Sequence, residues 1–523
     1  MDLEKSISEK IIRNTKFNTL SHFWGILVAL FLTPYIIRHI GVERYGIWAI
    51  VGAITGYFGL MDFGVRDSFV KFIAEFYAKK DYKTINQVIN VGLVFYSLLG
   101  AVIIILAFSF IDPLLHLFKI PLNLQGEASF VFLLGIIIFA VSNALVAFGA
   151  IQGGLQRMDI TNKIAIAITI PNVIGTILFL KLGYGLPGLM VNNALILAIS
   201  GTINFIVAFR LLPNPKVNPF LLDKKIFKML FGFGIKRWVT RIEDIVTFQT
   251  DKLLISYFLS LSLIGYYQLG YLIVSKAREI PSLLISAIVP AASELEVGQR
   301  REEIIKLYLR GTKYLLAIAF PIFFFVFTAA DLIVFAWLGE NFSNVVLVIQ
   351  IFAPSFLIMS LFTMGSAIAV GIGKPEFQMK AGGGQAILNL ILSIILIIKM
   401  GFVGILLATL ISVTVSTTYF GIRFHNYLKL MLINFSDRIK LGNLVFIPAI
   451  LSIIIFIFNL GFKDILMSNR LYALLFLISE MLFFFISYLL ILRKVNFFDE
   501  EDIKIFGRIF PLNSLNHRNG EQR

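Results

Sequence analysis

Residues 85–111 read INQVINVGLVFYSLLGAVIIILAFSFI, a stretch with no Asp, Glu, Lys or Arg. A helix rises about 1.5 Å per residue and needs about 20 apolar residues to cross a hydrocarbon core about 30 Å thick, so this stretch spans a membrane with length to spare. On its N-terminal side stands a basic loop through Lys79-Lys80-Asp81 to Lys83, while on the other side residues 112–127, DPLLHLFKIPLNLQGE, hold one cation, Lys119. The same sorting runs the length of the chain. Fourteen apolar runs lie near 18–37, 45–64, 85–111, 128–151, 164–180, 186–209, 229–259, 263–290, 314–337, 342–372, 381–398, 402–422, 441–462 and 471–492, and the segments between them alternate basic and bare. With the N-terminus inside, the inner segments hold 33 Lys and Arg and the outer loops 7, the remaining 6 lying within the runs. Cytoplasmic loops are the ones that keep Lys and Arg. The sorting therefore predicts a multi-pass protein of the cytoplasmic (inner) membrane with both termini cytoplasmic.

Composition sets the class. A chain of 523 residues that is 58% hydrophobic and 15% charged, with 52 Phe and a mean hydropathy of +0.87, has too much apolar surface for a water-soluble core. A β-barrel would show short alternating segments instead of continuous runs, so the expected fold is an all-α integral membrane protein with about fourteen transmembrane helices. The net charge of +15 is loop bias and predicts no nucleic-acid partner. Residues 1–16, MDLEKSISEKIIRNTK, are mixed in charge and the first run has no small-residue cleavage site after it, so no signal peptide is expected. The absence of Cys removes disulfides, thiolate metal sites and Cys nucleophiles. The longest outer loop is too small to fold into a catalytic domain. Asp62-Phe63-Gly64 stands without the rest of a kinase set, and Gly373-Lys374 runs into Pro375 with no earlier P-loop glycine. No enzyme activity, cofactor, metal or nucleotide site is expected.

An internal repeat of roughly 218 residues is visible. Tyr45-Gly46-Ile47-Trp48 matches Ile264-Gly265-Tyr266-Tyr267. Arg157-Met158-Asp159, Lys163, Asn172 and Lys181-Leu182-Gly183 match Lys374-Pro375-Glu376, Lys380, Asn389 and Lys399-Met400-Gly401. Six spans per unit return the chain to its starting side, so two lobes with the same orientation are expected, related by a pseudo-two-fold along the membrane normal. The predicted divisions are 1–210, 211–425 and 426–523: two six-helix lobes, then two C-terminal helices and a cytoplasmic tail.

The seventh run departs from the rest by carrying Lys236, Arg237, Arg241, Glu243, Asp244, Asp251 and Lys252. Each charge near a helix centre costs about 2.5–3.5 kcal/mol on insertion scales, so together they need partners or a wet cavity. Arg237, Arg241, Asp244 and Asp251 follow i, i+4, i+7, i+14 spacing on one stripe, with Thr240 and Thr247 beside it. Asn18, Ser21, His22 and Gly25 of the first run fall at the equivalent repeat positions. Lys276, Arg278 and Glu279 precede Pro281 in the eighth run, and the two runs together hold six cations against four carboxylates. Two readings stay open: internal pairing of Arg237 or Arg241 with Asp244 and Glu243, or a hydrated cleft that favours an anionic ligand. The second makes Asn18, His22, Arg237, Arg241, Lys276 and Arg278 substrate contacts and Glu243, Asp244 and Glu279 candidates for ion coupling. Gly382-Gly383-Gly384 is expected to permit close helix packing, and Glu480 sits mid-span with a neighbour as its expected partner.

Arg38-His39-Ile40-Gly41-Val42-Glu43-Arg44-Tyr45-Gly46-Ile47-Trp48, then Asp62-Phe63-Gly64 and the basic loop through Lys79-Lys80-Asp81, resemble polysaccharide flippases of the multidrug/oligosaccharidyl-lipid/polysaccharide exporter superfamily. The six-plus-six repeat is similar to that superfamily's two lobes, and fourteen spans are similar to its lipid II flippase branch. The resemblance implies ion-coupled alternating access that moves a polyprenyl-diphosphate-linked oligosaccharide across the membrane for surface polysaccharide assembly. Coupling to a proton or sodium gradient and contact with membrane lipid and other glycan-assembly proteins come with it. A multidrug exporter or a lipid II flippase of the same superfamily is the alternative, and a membrane glycan-processing enzyme the last choice.

Overall fold

The computed structural model describes the backbone of residues 2–213, 215–218, 223–500 and 502, and side chains over the same residues except 2–17, 19, 67, 233, 235–242, 244, 286, 287 and 432. Among the described residues there is no strand. The helices are Asp2–Phe58 (α1), Val65–Ala78 (α2), Tyr82–Leu117 (α3), Leu122–Gly154 (α4), Met158–Lys181 (α5), Gly185–Leu211 (α6), Lys224–Phe258 (α7), Leu261–Ser282 (α8), Ile288–Val297 (α9), Arg301–Thr328 (α10), Ala330–Leu338 (α11), Ser343–Gly371 (α12), Glu376–Leu428 (α13), Leu432–Arg438 (α14), Leu441–Gly461 (α15), Lys463–Leu466 (α16) and Arg470–Lys494 (α17). A hydrocarbon core offers backbone groups no water, and a helix bonds them all within one segment. Polar side chains mark several starts: Asp81 accepts from the Thr84 amide at 3.0 Å and Asn469 from that of Leu471 at 2.8 Å, each relieving an amide the first turn leaves open.

Among the described residues, eleven helical segments are long and apolar enough to cross a membrane. Two features separate that number from the fourteen runs. The segments Leu20–Asp62 and Glu376–Leu428, of 43 and 53 residues, each cover two runs, broken at Gly41 (φ 78°) and Gly401 (φ 58°), a backbone region where glycine carries no steric penalty. The third difference is α7, whose charges keep it outside the eleven. Many large apolar side chains are exposed, Phe31 at 77% and Ile398 at 67% among them. Lipid is the solvent that suits such a surface.

The chain forms two compact units. The first comprises Met1–Leu272 and Gln378–Ser416. Its core gathers Val65, Phe69, Ile73, Tyr96, Phe148 and Leu230 from α2, α3, α4 and α7, and Gly92 leaves room for the Phe69 ring. The repeat-related glycines meet within this unit. A Cβ on Gly46 would strike the carbonyl of Leu261, and one on Gly265 would strike the carbonyl of Val42. Val42 and Leu261 are themselves repeat equivalents, so the contact is reciprocal, as across a local two-fold. Gly64 and Gly234 likewise bring α2 and α7 together main chain to main chain.

The second unit comprises Ile273–Phe377 and Thr417–Arg523. Tyr308 shares a 2.8 Å hydrogen bond with His425 Nε2, and the segment after α17 is clasped from two sides. Lys440 donates to the carbonyl of Phe497 at 3.1 Å, and the buried Lys313 ammonium meets Asp502 at 2.5 Å. Burial pushes the Asp502 carboxyl upward, but hydrogen bonds from Lys313 and Tyr314 outweigh it and hold the group below the ordinary carboxylate range.

Candidate functional site

The C-terminal half of α7 brings its charge into the first unit. Asp251 is fully buried and accepts three hydroxyl donors: Thr409 to Oδ2 at 2.8 Å, Tyr267 to Oδ2 at 3.0 Å and Ser393 to Oδ1 at 3.1 Å. Ser393 and Thr409 lie on opposite sides of the Gly401 break in α13, and Tyr267 lies on α8. Asn389, one turn before Ser393, donates to Thr409 Oγ1 at 3.2 Å, while its own Oδ1 is buried with no partner among the described residues. No cationic side chain among the described residues touches Asp251. The adjacent Lys252 is buried and turns away, donating to Gln249 at 2.8 Å under the Tyr271 ring. Around this centre the helix stays polar: Thr250 bonds the Tyr57 hydroxyl, and Thr247 accepts from Gln385 at 3.4 Å.

An ionised carboxylate in low dielectric costs several kcal/mol unless it is compensated. Three neutral hydroxyls compensate in part, and a proton or a metal cation would meet the remaining cost. Hard cations take oxygen ligands, and here the oxygens of Asp251, Ser393 and Thr409 converge from α7 and both halves of α13.

The N-terminal repeat builds the same place without the charge. Asn192 donates to Asn172 Oδ1 at 2.9 Å and to Thr176 Oγ1 at 3.2 Å. Residues 172, 176 and 192 stand 217 positions before 389, 393 and 409. The first-span stretch equivalent to Asp251 is Leu32-Thr33-Pro34, which holds no carboxylate.

The side chains of Arg237, Arg241 and Asp244 lie outside the described residues. Glu243 packs its carboxylate against Gly382, where a Cβ would fill the same space, so of the triple glycine Gly382 serves a close approach, while Gly383 and Gly384 face open space. Asn18 accepts from Asn162 and its amide reaches the Met158 sulfur at 3.9 Å; His22 is exposed. Lys276, Arg278 and Glu279 belong to the second unit. There Lys276 bonds Glu279 at 2.6 Å and Arg278 lies 5.3 Å from the centre of the Phe356 ring. The spacing of α7 placed Asp251 on the polar stripe but gave it no role, and it did not point to Tyr267, Ser393 or Thr409. The signal for the last two was the repeat: extending the match of Asn172 with Asn389 by four and by twenty residues reaches both.

A family model described as polysaccharide biosynthesis protein matches residues 36–347, more than half of the chain. A putative O-antigen transporter of Shigella flexneri is 21% identical over 402 residues, covering 75% of this chain and 93% of that protein. A probable low-salt glycan biosynthesis flippase of Haloferax volcanii is 24% identical over 421 residues, 80% of this chain and 82% of that one. Among solved structures, a lipid II flippase in an inward closed conformation superposes with a TM-score of 0.66 at 17% identity, over 95% of this chain and 99% of its own. An inward-facing multidrug resistance transporter gives 0.60 at 14%, over 80% and 95%. At such identities the two superpositions establish a shared fold.

Proposed function

The chain belongs to the polysaccharide biosynthesis protein family, and on that premise we propose that it is a flippase that moves a polyprenyl-diphosphate-linked oligosaccharide across the cytoplasmic membrane, driven by a cation that binds at Asp251. It is a transporter and not an enzyme. The names of the matched relatives, an O-antigen transporter and a glycan flippase, support a lipid-linked glycan as cargo. So does the surplus of two cations on the seventh and eighth runs, which suits a diphosphate. On this reading Arg237, Arg241, Lys276 and Arg278 attract the diphosphate, and Asn18 and His22 meet sugar. The loop charges support cytoplasmic termini.

The hydroxyl cage of Asp251 is the observation that carries the coupling. Its oxygens come from α7, from α8 and from both sides of the Gly401 break, so a bound cation holds these helices in one arrangement and its release lets them part. Occupancy thereby biases one conformation over another, which is what coupling requires. Asp251 ranks ahead of Glu243 and Glu279 because it is fully buried and its donors are neutral, whereas Glu279 is part-exposed and already bonded to Lys276.

The test is gradient-driven flipping of a fluorescent lipid-linked oligosaccharide by the full chain in liposomes. Asp251→Asn should reduce it to the level of protein-free liposomes while membrane abundance stays normal. A sodium gradient at constant pH and a pH gradient without sodium identify the ion. Gradient-driven flipping by Asp251→Asn at the wild-type rate would refute the assignment.

A further inference from the structure

A second buried carboxylate lies in the helices that follow the repeat. Glu480, midway along α17, is 6% exposed, and Asn459 of α15 donates its Nδ2 to Glu480 Oε2 across a long 3.5 Å. Glu480 Oε1, Asn459 Oδ1 and Ser452 Oγ are all buried, and none has a hydrogen-bond partner among the described residues. Asn459 and Ser452 stand two turns apart on one face of α15, and both line a cavity of about 390 Å³. Thr328 and Gln350 add polar groups to its wall, and Asp331 and Lys463 are charged members of the same lining.

The protein does not satisfy an ionised Glu480. Ionised, the carboxylate has one long amide bond and no cationic side chain in contact among the described residues, in a segment where a charge is costly and marks a functional site by default. With Nδ2 turned to Glu480, Asn459 Oδ1 is the free end, and an acceptor. The unmet set is therefore oxygen throughout, beside a cavity with room for water, and hard cations are held by such oxygens.

We propose that Glu480 and Asn459, with water from the cavity walled by Ser452, hold a sodium ion in the α15–α17 pair. This site goes beyond the coupling reading, since none of its residues belongs to the Asp251 cage. Sodium there neutralises the one buried carboxylate of α17 and ties α15 to α17.

Equilibrium binding of radioactive sodium to the full chain in detergent tests it. Wild type should bind one sodium more than Glu480→Gln, and Glu480→Gln should retain whatever Asp251→Asn removes. Asn459→Leu keeps the carboxylate and should weaken the Glu480-dependent binding by about tenfold or more; it also stands in if Glu480→Gln does not purify as a single species. Sodium binding abolished by Asp251→Asn alone overturns the α17 site and leaves the coupling reading intact. Binding abolished by Glu480→Gln alone upholds this site and removes sodium from Asp251. Equal binding by wild type, Glu480→Gln and Asn459→Leu overturns the proposal.

Discussion

Asn172, Thr176 and Asn192 occupy the same repeat positions as Asn389, Ser393 and Thr409, yet the two trios do different things. In the first, an amide donates to an amide and a hydroxyl, and no charge is involved. In the second, Ser393 and Thr409 direct their donors at Asp251, Thr409 in place of the Asn192 amide, and Asn389 Oδ1 is left without a partner. One carboxylate, present on α7 and absent from Leu32-Thr33-Pro34, separates a helix-packing motif from the one to which the proposed function gives the coupling cation.

The strongest way to break this comparison is Thr409→Val, which keeps the shape and removes a donor. Hydrogen bonds to charged groups are worth about 1.5–3 kcal/mol, so the ion concentration for half-maximal transport should shift by about tenfold or more. An unchanged ion dependence would mean the two trios are equivalent after all. The reciprocal glycines offer the next largest effect. Gly46→Ala and Gly265→Ala each force a methyl into the partner's carbonyl, and overpacking of this kind costs about 1–3 kcal/mol. Their melting temperatures in detergent should fall by similar amounts, with the double variant falling by less than the sum because the sites touch. Unequal losses would show that the local two-fold is not reciprocal in energy. The smallest effect belongs to Asn192→Leu, the silent counterpart of Thr409→Val. It removes neutral hydrogen bonds worth about 1 kcal/mol each and should lower thermal stability slightly while leaving the ion dependence of transport unchanged. A shift in ion dependence there would place chemistry in both halves.

Much of this was legible in the chain. The sorting of Lys and Arg and the length of the apolar runs specify a multi-pass helical membrane protein, because lipid leaves the backbone no other solution. The repeat was readable through Gly46 and Gly265, and these two residues make the reciprocal contact. The extra length of α1 and α13 was not, since the polar stretch 38–44 and the Lys399-Met400-Gly401 step read as loops between runs and give no sign that the helices on either side continue one another. At the site, Asp251 announced itself as a charge in a membrane run. Tyr267, Ser393 and Thr409 did not, because isolated hydroxyls are common in membrane helices and usually bond the carbonyl one turn back, as Thr414 does. The direction of Ser393 and Thr409 toward a carboxylate 142 to 158 residues away is a property of packing, not of local pattern.

The breaks at Gly41 and Gly401 have a practical corollary. Where one crossing passes to the next through a single residue, a protease finds no strand of extended chain to grip and an antibody no loop to bind. An epitope tag inserted at either point would have to unwind helix on both sides. Affinity reagents raised against this protein should accordingly be selected against its other connections, and tags placed at the termini.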